Sequence, residues 1–182
     1  MVKAIFLDRD GNINVEPEDE IVDSINEVQL LPNTIPALKL LAGTDFKLFF
    51  ITNQMGISLG RLTIEKFHEI NDYILKQVEV EGIKIEKTYF CPHSPEDKCN
   101  CRKPKAGMIE KAVKEYDIDL SKSYVIGDRQ SDILLGKKAG CKTIWVKTGF
   151  DESIKIKPDY EAENLLEAVK YILEDSKLAR SR

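Results

Sequence analysis

Residues 4–13 read AIFLDRDGNI. An unbroken apolar run, Ala4 to Leu7, drives into two carboxylates, Asp8 and Asp10, with Arg9 between them and Gly11 behind. Consecutive apolar residues suit a strand covered on both faces, which is the habit of parallel sheets. Two like charges at the exit of such a strand repel, and each disfavours ionisation of the other. Both the layers that cover the strand and the groups that offset its charge must come from elsewhere in the chain.

Short apolar runs recur throughout: Val2–Leu7, Lys47–Thr52, Thr88–Cys91, Tyr124–Ile126 and Thr143–Val146. Helical patterns lie between them, at 34–43, from Thr63 to about Glu81, at Gly107–Tyr116 and at Ser131–Gly140. In the long one, Phe67, Ile70, Ile74 and Val78 fall on one stripe. Thr63 suits an N-cap there and Gly82 a C-terminal stop. Gly43 and Gly140 are expected to end their helices in the same way. A last helix is expected from about Asn164 to Leu173, with the tail SKLARSR fraying. Strands alternating with helices predict an α/β fold: a doubly wound, Rossmann-like parallel sheet between two helical layers, with right-handed crossovers. No repeat, linker or low-complexity tract interrupts the pattern, so residues 1–182 are expected to form a single domain without a large cap.

The chain has 182 residues, a formal charge of -4, 42% hydrophobic and 32% charged residues, ordinary values for a soluble protein. No apolar stretch approaches the roughly 20 residues of a membrane span. The opening MVKAIFLD lacks the features of a signal peptide. The cytoplasm is therefore the expected compartment, where four cysteines serve as ligands or core residues rather than disulfides. Mild acidity gives no footprint for nucleic acid. The expected partner is a small molecule, neither nucleic acid nor membrane, and the expected state is a monomer.

Ligands of doubly wound folds gather at the carboxyl ends of the strands. There the first strand presents Asp8-Arg9-Asp10-Gly11, the second Thr52-Asn53-Gln54, and the fourth Gly127-Asp128-Arg129 with Asp132 close behind. Arg102-Lys103-Pro104-Lys105 lies between the third and fourth. Alone, an Asp-x-Asp is commonly a solvated turn, and Thr52-Asn53 an Asx-type turn. Together they bring carboxylates, a hydroxyl and cations to one edge, the setting of a functional charge cluster. A divalent cation relieves the repulsion; Mg2+ characteristically takes one or two carboxylates, keeps waters and binds a substrate phosphate. A carboxylate beside such an ion is a nucleophile for phosphorus. The ion and a lysine offset charge on the transferring phosphoryl oxygens. Asp132 reads equally as the N-cap of the next helix or as a support behind the site.

The segment CPHSPEDKCNC, residues 91–101, holds Cys91, His93, Cys99 and Cys101. Three thiolates and an imidazole complete a tetrahedral Zn2+ shell with no open position, the mark of a structural site. A loop with two prolines has little core of its own, so metal binding would supply its folding energy. The alternatives are four incidental residues or a disulfide. Cys141 is left as a buried thiol and His68 as a surface residue. Lys103 follows the last ligand by two residues, so the loop is expected to aim Arg102 and Lys103 at a phosphate.

These motifs, in this order, resemble the haloacid dehalogenase superfamily of aspartate-nucleophile phosphatases. The likeness covers almost the whole chain and is greatest for the branch of histidinol-phosphate and heptose 1,7-bisphosphate phosphatases, which carries such a zinc loop. The resemblance implies that Asp8 is the nucleophile and forms an aspartyl-phosphate. It implies that Asp10 protonates the leaving alkoxide and then activates water. Thr52 would bond the phosphoryl group and Lys103 neutralise it. Asp8, the Asp10 backbone carbonyl and Asp128 would hold Mg2+. Arg9, Asn53, Gln54, Arg102 and Arg129 would line the substrate pocket. Asp10 must carry a proton near neutrality, and the adjacent negative charge is expected to raise its pKa. Asn12, where the family normally has threonine, is expected to bond its own turn.

On the substrate the resemblance divides. Glu16-Pro17, Val22-Asp23, PNTIPALK and SYVIGDRQSDI resemble the histidinol-phosphate enzymes. NQMGISLGRLT, KPKAGM and WVKTG resemble the heptose enzymes, although Leu59 stands where those have arginine. Histidinol phosphate carries an ammonium and an imidazole, which the acidic run Glu16–Glu20 could pair with; the same run also reads as a solvated turn. Histidinol phosphate is therefore the expected substrate, with heptose 1,7-bisphosphate or another sugar phosphate as the alternative. A receiver-like phosphoacceptor domain, with a similar fold and acidic Mg2+ site, is the non-enzymatic alternative.

Overall fold

The computed structural model describes residues 1–149 and 155–180. Six strands form one sheet: β1 (Lys3–Leu7), β2 (Phe46–Asn53), β3 (Ile85–Cys91), β4 (Tyr124–Gly127), β5 (Lys142–Val146) and β6 (Tyr160–Ala162). Their order is β3-β2-β1-β4-β5-β6 and every pairing is parallel. The chain starts in the middle, winds outward to β3, then crosses to the other side of β1, so the order reverses between β1 and β4. Such a switch point opens a crevice at the strand ends.

Successive side chains of a strand face opposite sides, and here both sides are buried. Ile5 and Leu7 of β1 pack with α1 (Thr34–Ala42), α3 (Ile64–Glu79), which follows the single turn α2 (Met55–Ser58), and α6 (Leu165–Arg180). Ala4 and Phe6 pack with α4 (Gly107–Tyr116) and α5 (Gln130–Ala139). The α3 stripe Phe67, Ile70, Ile74 and Val78 is buried as its spacing predicts, and the Thr63 hydroxyl caps that helix by accepting from the Lys66 N–H. Between β1 and β2 lie only a 3-10 turn at Ile25–Glu27, α1 and their connections, and no large cap is inserted.

Three local expectations change. The edge strand β6 has only three residues, too short for any pattern to mark it. Helix α6 runs to Arg180 rather than stopping at Leu173, so the tail does not fray there; residues 181–182 lie outside the described residues. Its extension is pinned by Asp175, which accepts from the Tyr124 hydroxyl on β4 and from Lys142 Nζ on β5. Gly43 closes α1 with φ -82°, an ordinary right-handed residue, whereas Gly140 (φ +82°) is left-handed as expected.

Candidate active site

β1, β2 and β4 end side by side, and their terminal side chains sort into two groups. In the first, Asp8, Asp128 and Asp132 are all buried and place carboxylate oxygens within 4.8 Å of one another. Lys103 reaches between them, its Nζ 2.7 Å from Asp8 Oδ1 and 2.7 Å from Asp132 Oδ1. Among the described residues, neither oxygen of Asp128 has a hydrogen-bond partner. Its carboxylate lies against bare backbone: a Cβ on Gly149 would sit 1.6 Å from Asp128 Oδ2, and one on Gly11 2.6 Å from it. Gly11 also turns at φ +81°, a conformation that glycine adopts freely.

Three carboxylates against one ammonium leave negative charge uncompensated in a dry site. Burial, then Asp132, push Asp8 well above the usual carboxylate range, against the pull of Lys103. Burial, Asp132 and Glu16 push Asp128 up to about 7. Lys103 stays charged despite burial because Asp132 and Asp8 hold its proton. The donors are all oxygen, crowded and in excess of the available cations, and Asp128 has unclaimed lone pairs. That set fits a hard divalent cation such as Mg2+.

Asp132 is not the N-cap of α5; Arg129 holds that position. Asp132 lies three residues further on, where its Oδ2 accepts from the Arg129 backbone N–H (3.2 Å) while its Oδ1 faces Lys103. One carboxylate thus secures the start of the helix and the ammonium together. Asn12 bonds beyond its own turn, with Nδ2 3.2 Å from the Asp8 carbonyl and 3.4 Å from that of Ile126.

The second group surrounds Asp10. Arg9 donates through Nε to Oδ1 (3.0 Å) and through Nη2 to Oδ2 (2.8 Å). Asn14 Nδ2 donates to Oδ1 (2.9 Å) and Gln54 Nε2 to Oδ2 (2.7 Å). Burial pushes Asp10 up, but Arg9, Asn14 and Gln54 outweigh it and hold the carboxyl below its usual range. This corrects the expectation that neighbouring charge raises it. The decisive neighbour is the arginine between the two aspartates, which folds back on Asp10 alone.

The crevice holds a cavity of about 110 Å³. Asp8, Asp10, Thr52, Asn53, Arg102, Lys103, Glu16 and Arg129 line it. Arg9 and Gln54 do not. Arg9 is fully buried, its guanidinium 5.3 Å from the Phe67 ring centre, and Gln54 lies behind Thr52 and Asp10. Both are committed to Asp10 rather than facing the cavity. Glu16 is likewise engaged: Arg129 reaches it at 2.9 Å and Glu20 at 3.2 Å. Met55 and Ser131 also line the cavity, and no sequence signal marks them. Asn14 carries no motif either; a polar residue between Ile13 and Val15 is its only mark in the sequence.

The 91–101 loop gathers the second donor set. Cys91 Sγ lies 3.2 Å from Cys101 Sγ and 3.8 Å from Cys99 Sγ, while His93 Nδ1 lies 3.5 Å from Cys91 Sγ and 3.3 Å from Cys101 Sγ. A tetrahedron with Zn–S bonds of about 2.3 Å has edges of about 3.8 Å, so the four atoms fit one zinc ion. All four cysteines are free. Cys141 is buried and His68 exposed, as expected. The loop is joined to the crevice: Arg102 Nη1 donates to the His93 carbonyl (3.0 Å), and the Lys103 N–H to Asn53 Oδ1 (3.0 Å). Among the described residues, no helix is long and apolar enough to cross a membrane.

A HAD-hydrolase-like family model matches residues 100–168. The D-glycero-beta-D-manno-heptose-1,7-bisphosphate 7-phosphatase of Pasteurella multocida is 36% identical over 94% of this chain and 97% of its own length. The histidine biosynthesis bifunctional protein HisB of Blochmanniella floridana is 39% identical over 78% of this chain; the aligned part is only 40% of that protein. In three dimensions, the D,D-heptose 1,7-bisphosphate phosphatase of B. bronchiseptica, solved with magnesium and phosphate, superposes with a TM-score of 0.88 and 29% identity. That match covers 95% of this chain and 99% of the other.

Proposed function

Because the chain belongs to the haloacid-dehalogenase-like phosphatases, we propose that it is a Mg2+-dependent phosphomonoesterase acting through an aspartyl-phosphate, with D-glycero-D-manno-heptose 1,7-bisphosphate as substrate and the 7-phosphate as the group removed. The observation that carries the chemistry is the unpartnered Asp128 carboxylate beside Asp8 and Lys103. Asp8, the Asp10 backbone carbonyl and Asp128 would hold Mg2+, which when bound supplies positive charge to the phosphoryl oxygens. An Asp8 carboxylate oxygen attacks phosphorus as the bond to the sugar oxygen breaks. Asp10, which Arg9, Asn14 and Gln54 hold below the usual carboxyl range in the free site, takes a proton from the entering phosphate ester monoanion, gives it to the leaving alkoxide, and then takes one from the water that releases phosphate from Asp8. The Thr52 hydroxyl and Lys103 ammonium hold the phosphoryl group meanwhile. Cys91, His93, Cys99 and Cys101 would hold a structural Zn2+ that supports Arg102 and Lys103. Metal analysis of protein purified without chelator should then find about one zinc per chain, and a zinc-free protein with full activity would refute that role.

Two observations favour the heptose substrate over histidinol phosphate. The Pasteurella relative matches along its full length, whereas the chain spans 40% of HisB. The acidic loop, the feature that suits a cationic substrate, already has cationic partners: Arg129 for Glu16 and Glu20, and Arg61 for Asp19. Turnover of both esters by one preparation with Mg2+ tests the reading. Heptose 1,7-bisphosphate should show the higher kcat/KM; a clear preference for histidinol phosphate would reverse the assignment. Hydrolysis of neither, nor of an aryl phosphate, would point to a receiver-like phosphoacceptor instead.

A further inference from the structure

Gln54 stands at the strand end where a substrate contact is expected, yet it is buried and does not line the cavity. Its amide nitrogen has two hydrogens, and each has a partner: Asp10 Oδ2 at 2.7 Å and Thr52 Oγ1 at 2.8 Å. Its backbone N–H donates to the Cys91 carbonyl at 2.7 Å, which anchors its main chain to the end of β3. The side chain is therefore stretched between the hydroxyl that faces the phosphate and the carboxylate that moves the proton.

We propose that Gln54 is a positioning residue that aims both groups at once, without touching the substrate. The inference rests on the phosphatase reading above. At Thr52, a hydroxyl that accepts from Gln54 keeps its own hydrogen free, and Thr52 lines the cavity. The bonds then run in one direction, from Gln54 N–H to Thr52 oxygen and from Thr52 O–H to a phosphoryl oxygen, and each strengthens the next. At Asp10, Gln54 sets the rotation of the carboxylate from the β2 side. Arg9 and Asn14 grip it independently: Arg9 is clamped beside Phe67, and Asn14 Nδ2 is tied to the Val15 carbonyl as well (3.0 Å). Without Gln54 the carboxylate keeps these other partners but loses the one that holds Oδ2 toward Thr52.

Gln54→Met keeps length and volume and removes both donors. Its kcat should fall by roughly 10- to 100-fold on an alkyl ester such as glycerol 2-phosphate, part of what a general acid contributes. On 4-nitrophenyl phosphate, whose leaving group needs little proton, kcat should fall by no more than about 3-fold, the Thr52 share, with KM little changed on either. Gln54→Leu, which is of similar volume and has no donor, should show the same selective loss and serves if the methionine variant does not fold. In an Asp10→Asn background, Gln54→Met should add no more than the Thr52 share of about 3-fold on the alkyl ester, because the rest of its effect acts through Asp10. A rise in KM with unchanged kcat would make Gln54 a substrate contact and overturn the proposal. Equal losses on both esters with a lower Tm would make it merely structural. A wild type inactive on both esters would remove the phosphatase reading itself, whereas the other outcomes leave that reading intact.

Discussion

Asp8 and Asp10 stand two residues apart at the end of one strand, and their surroundings are opposite. Asp8 shares a buried space with Asp128 and Asp132 and has one ammonium, Lys103, for all three. Asp10 alone receives four hydrogen bonds from Arg9, Asn14 and Gln54. Burial acts on both in the same sense, yet one carboxyl is raised and the other lowered. The difference lies in the balance of donors to carboxylates, not in proximity along the chain. One half of the site is short of positive charge and suited to a metal; the other is complete without one. In the metal-free site this separation runs against the proposed roles of nucleophile and acid; a cation at Asp8 and a phosphate dianion beside Asp10 would each push the carboxyl the other way.

The strongest way to break this contrast is Asp8→Asn. Loss of the nucleophile should cut hydrolysis by on the order of 10⁴-fold or more. Thermal stability without Mg2+ should not fall, because one of three crowded charges is gone. Near-normal turnover would sink the mechanism, and a large drop in Tm would sink the account of crowding.

Removing the cation from each half should cost stability in both but respond to metal in only one. Lys103→Met leaves buried carboxylates without their ammonium, and Arg9→Met leaves Asp10 with neutral donors. Each should destabilise by about 3–5 kcal/mol, the usual effect of breaking a buried pair. Denaturant titrations should show Mg2+ restoring part of the loss for Lys103→Met and none for Arg9→Met. Equal rescue of both would mean that the two groups are not independent.

The smallest effect concerns pH. Asp128 is raised to about 7, so in metal-free protein its contribution to stability is complete below its unfolded pKa of about 3.9. That contribution is lost as pH rises through about 7, when burial of the ionised carboxylate becomes unfavourable. Mg2+ binds the ionised form and competes with the proton. The gain in Tm on adding Mg2+ should therefore be larger at pH 8 than at pH 5.5. An equal gain at both would show that Asp128 is not the ligand.

By itself the sequence determined the sheet, its helices and the edge on which the site lies. A strand covered on both faces must be apolar throughout, so its polar residues emerge where it leaves the core, and Asp8, Thr52 and Asp128 do so. The cluster at 91–101 was legible for a similar reason, since its four sulfur and nitrogen donors are close in the chain. Edge strand β6 and the last turns of α6 were not, because three residues carry no period and the Asp175 anchor belongs to partners on β4 and β5. Only the tertiary structure decided which polar groups face one another. Gln54 meets Asp10 across 44 positions and Glu16 meets Arg129 across 113. Arg9 turns from the cavity to Asp10, and Lys103 divides itself between Asp8 and Asp132. Such pairings depend on the register and twist with which separate strands pack, and a buried charge takes the partners that packing brings within reach.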